Sequence, residues 1–160
     1  MHDPLFRGGA LQRELDRCRL KPADLVFEIS ERESIGNFSL FRQARDYYKG
    51  LGFRMALDDT GAGYASLEAV MELAPKFIKV DMSLVRSIDT DPTRQAMLKA
   101  LHSVADHLGA SVIGEGVETE SELLTIQQLG IPYGQGYLFG RPGPLESGFE
   151  QDTSPLPPPS

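Results

Sequence analysis

The sequence has little cysteine, no tryptophan and no long apolar segment. Its 160 residues contain one cysteine, Cys18, so no disulfide within the chain can stabilise the fold. No apolar run approaches the about 18–20 residues that a membrane-spanning helix needs, and the polar start, residues 1–9, does not resemble a signal peptide. These absences predict a cytoplasmic protein without a membrane segment.

Positive charge is also scarce. The chain has 16 Lys and Arg residues against 23 Asp and Glu residues, which gives a formal net charge of -7. A protein that binds the phosphate backbone of DNA or RNA needs a basic face, so duplex nucleic acid is not expected as a partner. The hydrophobic content of 41% and the charged content of 24% are typical of a folded chain, and the length corresponds to about one domain.

One local pattern occurs three times: a helical stretch, a Leu-Gly pair, a short apolar strand and a polar residue. The pairs Leu51-Gly52, Leu108-Gly109 and Leu129-Gly130 mark helix ends, because glycine adopts the left-handed cap conformation without steric cost. Strands are predicted at 25–29, 53–57, 77–81, 110–114 and 131–134. Helices are predicted at 9–19, 37–49, 64–73, 93–108 and 123–129. This alternation predicts an α/β protein with about five parallel strands and crossover helices.

The pattern fades near the C-terminus, where proline is concentrated. Proline cannot donate to a strand ladder or fit inside a helix. Residues 144–160 are therefore predicted to form a disordered, Pro-rich tail, and residues 1–143 to form the folded domain.

Acidic side chains end four of the five predicted strands. In parallel α/β folds the carboxyl ends of the strands meet at one edge, where reactive groups lie. The residues at these ends are Glu28 and Glu31, Asp58 and Asp59, Lys79 and Asp81, Glu115 and Glu118, and Gln135. Neighbouring carboxylates repel unless a cation or proton compensates, and Mg²⁺ or Mn²⁺ prefers such oxygen ligands. One interpretation is therefore a metal site, which with two ions would suit phosphodiester hydrolysis. Alternatively, these acids only cap helices or face water.

Two neighbouring features are open to more than one interpretation. Lys79 alternates inward with Phe77 and Asp81, so it could contact the acidic cluster or form only a buried ion pair with Asp81. Gly61 and Gly63 could let the backbone approach a ligand phosphate, or they could form a plain tight turn.

Five stretches, in order, resemble the EAL domain, a bacterial phosphodiesterase module that opens cyclic di-GMP to linear pGpG. The stretches are 27–31 (FEISE), 56–67 (ALDDTGAGYASL), 78–81 (IKVD), 115–119 (EGVET) and 135–142 (QGYLFGRP). The similarity covers about residues 3–143. It implies a TIM-like (β/α) barrel, cyclic di-GMP as the ligand and two Mg²⁺ or Mn²⁺ ions as cofactors.

The resemblance also implies residue roles. The metal-binding positions correspond to Glu28, Asp58, Asp59 and Glu115. The catalytic positions correspond to Lys79, Glu115 and Gln135. Supporting positions correspond to Glu31, Asp81, Glu118, Thr60, Gly61 and Gly63. In the family the loop that Glu31 holds is linked to dimerisation, so a homodimer through residues 59–67 is expected.

Two departures from the family pattern are evident. Thr60 stands where the family usually has phenylalanine, and neither a Glu-Ala-Leu motif nor a Ser-Val-Asn-type strand is found. A closed eight-stranded barrel takes about 200–250 residues, so we expect an incomplete barrel with little or no hydrolysis by this chain alone. The alternatives are a non-catalytic module that binds cyclic di-GMP or a protein, and a hydrolase of another phosphate ester.

Overall fold

A computed structural model describes residues 9–30, 38–61 and 66–143. Within these ranges, five parallel strands form one sheet in the order of the chain, β1 to β5. The strands are β1 Val26–Ser30, β2 Arg54–Thr60, β3 Phe77–Val80, β4 Ser111–Glu115 and β5 Tyr133–Gln135. This order of consecutive β/α units is the one found in (β/α) barrels, and it confirms the predicted fold class. The predicted tail, 144–160, lies outside the described residues.

The five predicted helices are present, each within two residues of its predicted bounds except the last, which begins three residues earlier. They are α1 Ala10–Cys18, α2 Phe38–Gly50, α3 Ser66–Leu73, α4 Met82–Val85, α5 Pro92–Leu108 and α6 Glu120–Gln128. The Asp91 carboxylate accepts hydrogen bonds from the backbone N–H groups at the start of α5, and Thr119 and Glu122 form a capping box on α6. The short α4 was not predicted, because four residues carry no helical period. None of the described helices is long and apolar enough to cross a membrane.

Four strands, β1, β2, β4 and β5, begin one or two residues later than predicted, for a common reason. The first residue of each predicted strand still donates its backbone N–H to the preceding helical turn: Leu25 to Pro22, Phe53 to Tyr48, Ala110 to Ala105, and Ile131 to Ile126. That N–H therefore cannot join the strand ladder. Propensity alone does not reveal this competition, so the predicted starts were one or two residues early.

Strand β2 differs at its other end, which runs on to Thr60 instead of ending at Leu57. The register with β3 shifts between these two residues, and Asp59 there adopts a positive φ of 59°. A bulge of this kind re-aims side chains at the end of a strand. This irregularity allows the carboxylates of two consecutive residues, Asp58 and Asp59, to lie at the same edge of the sheet.

The main hydrophobic core lies between one face of the sheet and the helices. Leu57, Ile78 and Val112 from three adjacent strands are fully buried there. Helix α5 contributes Leu98, Leu101 and Ala105, whose spacing places them on one helical face. Because alternate strand residues face opposite sides, this core fixes which residues point to the other face of the sheet.

Candidate metal centre

Lys79 is the centre of the edge formed by the carboxyl ends of the strands. Its side chain is almost completely buried, and its Nζ donates to Asp58 Oδ1 at 2.8 Å and to Glu28 Oε2 at 3.0 Å. Glu115 Oε1 lies 3.0 Å from the same nitrogen. The three carboxylates come from β2, β1 and β4. Four strands therefore converge on one ammonium group.

Strand alternation explains this convergence. On β3, Ile78 and Val80 belong to the core on the helix side, so Lys79 points to the opposite face. Leu57 and Val112 belong to the same core, which turns Asp58 and Glu115 toward the face of Lys79. The apolar positions of the strands thus determine where the acidic side chains meet.

The electrostatics of the cluster leave Lys79 protonated. Burial alone would lower the pKa of Lys79, but its hydrogen bonds to Asp58, Glu115 and Glu28 raise that pKa above the ordinary value. Burial raises the pKa of Glu115; Lys79 opposes this, and the charges of Asp58 and Glu28 add to it, so the pKa stays raised. One ammonium does not satisfy the carboxylates around it, which favours binding of a further cation.

The carboxylates of Asp58, Asp59 and Glu115 meet the requirements of a divalent ion. One oxygen from each lies within 4.8 Å of the other two. Mg²⁺ binds oxygen at about 2.0–2.1 Å in octahedral geometry, so its ligand oxygens are about 3–4 Å apart. Small side-chain rotations would bring the three groups to that spacing. The residues present therefore fit a hard divalent cation. Glu28 is connected to this group through Lys79, whose Nζ contacts Glu28 as well as Asp58 and Glu115.

The other predicted residues at this edge have separate contacts. Asp81 has no ion pair with Lys79 in the part of the chain that the structure describes; its carboxylate instead accepts a hydrogen bond from the backbone N–H of Ser83 and caps α4. The alternative of an ion pair between Lys79 and Asp81 is therefore wrong. Glu118 is exposed and pairs with Arg86 at 2.9 Å, away from the ammonium of Lys79.

The remaining predicted positions are partly described. Gln135 on β5 is in register with Glu115, which places it beside the cluster. Thr60 is fully buried, and its hydroxyl has no hydrogen-bond partner among the described residues. Gly61 adopts a φ of 101°, as the predicted turn requires. Glu31 and Gly63 lie outside the described residues.

One further buried residue near this edge is not among the predicted site residues. Glu122 on α6 is buried, and its carboxylate accepts backbone N–H bonds from Ser87, Glu118 and Thr119. Burial raises the pKa of Glu122, but these bonds outweigh that effect and hold it below the ordinary value. The carboxylate thus ties the loop after β4 to the turn after α4. The capping-box spacing of Thr119 and Glu122 accounts only for the contacts between these two residues.

The loop after β4 also packs closely against its surroundings through two glycines. Gly116 has a φ of 70°, and a Cβ there would strike Met82. A Cβ on Gly136 would overlap the backbone of Val117. The Glu115 loop is therefore held against both α4 and β5.

Comparisons with known proteins all indicate the same family. The profile of the EAL domain matches residues 6–142. The probable cyclic di-GMP phosphodiesterase PdeA of Escherichia coli is 33% identical over 137 residues, which is 86% of this chain and 19% of that protein. The cyclic di-GMP phosphodiesterase RocR of Pseudomonas aeruginosa is 34% identical over 130 residues, or 81% and 33% of the two chains. The chain thus spans about a fifth and a third of these relatives.

Solved structures agree with the sequence relatives. Klebsiella pneumoniae BlrP1, in a complex with manganese and cyclic di-GMP, superposes with a TM-score of 0.79 at 38% identity, covering 84% of this chain and 34% of that one. A standalone EAL protein from Vibrio cholerae with bound cyclic di-GMP gives 0.78 at 32%, covering 82% and 56%. The region that matches the family profile, residues 6–142, includes all five strands and the edge where their acidic residues meet. The chain belongs to the EAL domain family.

Proposed function

We propose that this chain provides the metal-binding part of a cyclic di-GMP phosphodiesterase site. The observation that carries the proposal is the meeting of Asp58, Asp59 and Glu115 oxygens within 4.8 Å of one another. The relative BlrP1 has been solved with cyclic di-GMP and either manganese or calcium, which supports a divalent ion at such a site. Mg²⁺ or Mn²⁺ is the proposed ion, with Glu28 as a further ligand.

Charge balance favours two ions. The carboxylates of Glu28, Asp58, Asp59 and Glu115 surround a single ammonium, that of Lys79, so most of their negative charge is uncompensated. Bound divalent ions would supply Lewis-acid charge at the scissile phosphodiester. Two such ions would also leave the site positive overall, as a phosphodiester anion requires.

The chain's own residues would orient the reacting groups. Lys79 holds carboxylates from three strands in place and brings a positive charge to the edge where phosphate charge develops. Gln135, beside Glu115 on the neighbouring strand, is proposed to orient water or substrate through its amide. Glu31, Asp81, Glu118, Thr60, Gly61 and Gly63 are proposed as supporting positions.

We expect this polypeptide alone to turn over substrate weakly or not at all. Among the described residues, β1 and β5 each pair with one neighbour only, so the sheet is not closed. An open edge next to Glu28 leaves that ligand exposed to solvent. We also propose a homodimer through residues 59–67 and a location in the cytoplasm, where the exposed free thiol of Cys18 would remain reduced.

Binding of Mn²⁺ tests the proposal even where turnover is weak. Asp59→Asn removes a carboxylate but keeps a residue that tolerates the positive φ at this position. We expect calorimetry to show Mn²⁺ binding that is at least tenfold weaker in Asp59→Asn. Glu120→Gln, an exposed acid-to-amide change on α6, should bind as the wild type does. Equal binding by Asp59→Asn and the wild type would contradict the proposed site.

Hydrolysis is then measured with cyclic di-GMP, Mn²⁺ and protein in excess over substrate. Formation of linear pGpG that is lost in Glu115→Gln and kept in Glu120→Gln would support phosphodiesterase chemistry. Turnover that persists in Glu115→Gln would assign the activity to a contaminant and refute the proposed role of that residue.

Binding without hydrolysis is the second candidate function. One observation favours it: the exposed ring of Tyr137 stacks with the Arg141 guanidinium at 4.6 Å, two residues beyond Gln135. Such a pair can stack on a guanine base. Calorimetry with cyclic di-GMP in the presence of Ca²⁺ would detect this binding, and Tyr137→Ala should weaken it.

A further inference from the structure

A cavity with a positively charged lining lies at the end of the sheet where the strands begin, opposite the acidic edge. The cavity has a volume of about 370 Å³ and lies at the start of β2, between the residues that precede β3 and β4. Among the described residues, its lining includes four basic ones, Arg45, Lys49, Arg54 and Lys76, and no acidic one. The whole chain has only 16 Lys and Arg residues against 23 acidic ones. A quarter of its basic residues thus line one cavity.

Three of these basic residues have no acidic partner in the part of the chain that the structure describes. Within residues 9–30, 38–61 and 66–143, no carboxylate lies within 4.0 Å of the charged nitrogens of Lys49, Arg54 or Lys76. Arg54 stacks over the ring of Phe77 at 5.6 Å, and its buried Nε has no hydrogen-bond partner among these residues. A buried donor without an acceptor costs free energy; because Arg54 lines the cavity, a ligand oxygen that reached this Nε would recover it.

Helix ends explain part of this positive charge, but not all of it. Helices α2, α3 and α5 end on this side of the sheet, and their terminal carbonyls attract cations. Arg45 donates to the carbonyls of Glu72 and Leu73, and Lys76 donates to that of Gly109. These two residues therefore have a structural role. Arg54 has no such carbonyl contact among the described residues, so its placement is not explained in this way.

The rest of the lining is apolar. Phe53, Met55 and Pro75 are buried, and Leu108 is partly exposed at the rim. The volume lies within the about 300–1,000 Å³ of typical small-molecule sites. Cationic groups beside an apolar wall match a ligand that has phosphate at one end and an organic ring at the other.

We propose that this cavity binds a phosphorylated small molecule of about nucleotide size. Arg54, Lys49 and Lys76 contact its phosphate oxygens, and Phe53 and Pro75 pack against its organic part. The proposal does not depend on the phosphodiesterase function, because the cavity lies at the other end of the strands from Lys79.

The test uses ADP as the probe, in buffer with EDTA so that no metal can bring ADP to the acidic edge. Lys49→Glu reverses one charge of the cavity at an exposed position, so the fold is not at risk. Lys99→Glu, an exposed lysine on α5, is the matched control. We expect calorimetry to show ADP binding that Lys49→Glu weakens at least tenfold and that Lys99→Glu leaves unchanged. Arg54→Met should weaken it further, with Arg54→Lys recovering part of the loss.

Further probes separate the organic part of the ligand from its phosphate. Binding of ADP at least tenfold tighter than that of pyrophosphate would support a ligand with a ring against the apolar wall. Binding of pyrophosphate without ADP would overturn the organic assignment. No binding of either at millimolar concentration, or equal ADP binding by the two charge-reversal variants, would overturn the site itself.

Discussion

Replacing Lys79 by methionine tests the electrostatic basis of the acidic edge. The substitution removes the ammonium and keeps an unbranched side chain of similar length in a position that is only 8% exposed. In the wild type, the nitrogen lies within 3.0 Å of oxygens from Glu28, Asp58 and Glu115. Without it, these carboxylates repel one another with no cation between them.

The free energy of unfolding that Lys79→Met loses can be estimated from how exposed each carboxylate partner of Lys79 is. The Glu28 side chain is 51% exposed, so water screens it and it contributes at most about 1 kcal/mol. Asp58 and Glu115 are 26% and 19% exposed, where a charge-assisted hydrogen bond contributes about 1.5–3 kcal/mol before the acids rotate toward water. We expect a net loss of about 2–3 kcal/mol, or a Tm about 5–10 °C lower for a chain of this size.

Thermal unfolding in EDTA, followed by titration with Mn²⁺, measures both parts of the argument. Mn²⁺ should raise the Tm of Lys79→Met more than that of the wild type, because the carboxylates no longer share an ammonium. An ion present at 100 times its Kd stabilises by about 2.7 kcal/mol, enough to recover the loss. Lys99→Met, an exposed lysine on α5, should leave both values unchanged. Equal Tm values in EDTA and equal Mn²⁺ shifts for Lys79→Met and the wild type would refute this reasoning.

Three further substitutions test the packing around the edge. Glu122→Gln should lower the free energy of unfolding by about 2 kcal/mol at pH 7, because a buried carboxylate that accepts three backbone N–H bonds is lost. Because the pKa of Glu122 is lowered on folding, its charged carboxylate stabilises the fold at any pH above the ordinary pKa of 4.5. This contribution is lost as the pH falls through the lowered pKa, so urea unfolding should give the variant and the wild type similar stabilities in acid. Thr60→Val should raise the Tm by a few degrees, since it removes a buried hydroxyl without a partner among the described residues; a lower Tm would reveal a partner for that hydroxyl. Gly136→Ala should lower the Tm by several degrees, because its Cβ overlaps the Val117 backbone, whereas Gly50→Ala has open space and should not.

Local chemistry made the helix boundaries predictable. Asp91 and Thr119 cap helices through hydrogen bonds to residues two or three positions later, so a short stretch of sequence contains the whole interaction. The strand starts were less predictable, because Ala110 and Ile131 could bond either to a helix carbonyl or to a neighbouring strand. That choice depends on tertiary packing, which a short stretch of sequence does not contain.

The acidic edge was predictable as a location but not as a set of contacts. Strand alternation places Lys79 inward, and the rule for parallel strands brings Asp58 and Glu115 to the same edge. Which carboxylates bond to the lysine depends on register between strands up to 51 residues apart in the chain, as in the bond to Glu28. Glu122 shows the same limit, since its contact with Ser87 spans 35 residues.

The two ends of the sheet have opposite charge, and the backbone itself accounts for part of that difference. Helices α4 and α6 begin at the edge where the strands end, and their N-terminal N–H groups favour carboxylates such as Asp81 there. Helices end at the other edge, where their carbonyls favour lysine and arginine. Helix dipoles, however, explain only those charged side chains that contact a helix terminus. Lys79 with its carboxylates at one edge, and Arg54 at the other, lie on strands and contact no described helix terminus, so the dipoles do not explain their placement and the two proposed sites rest on them.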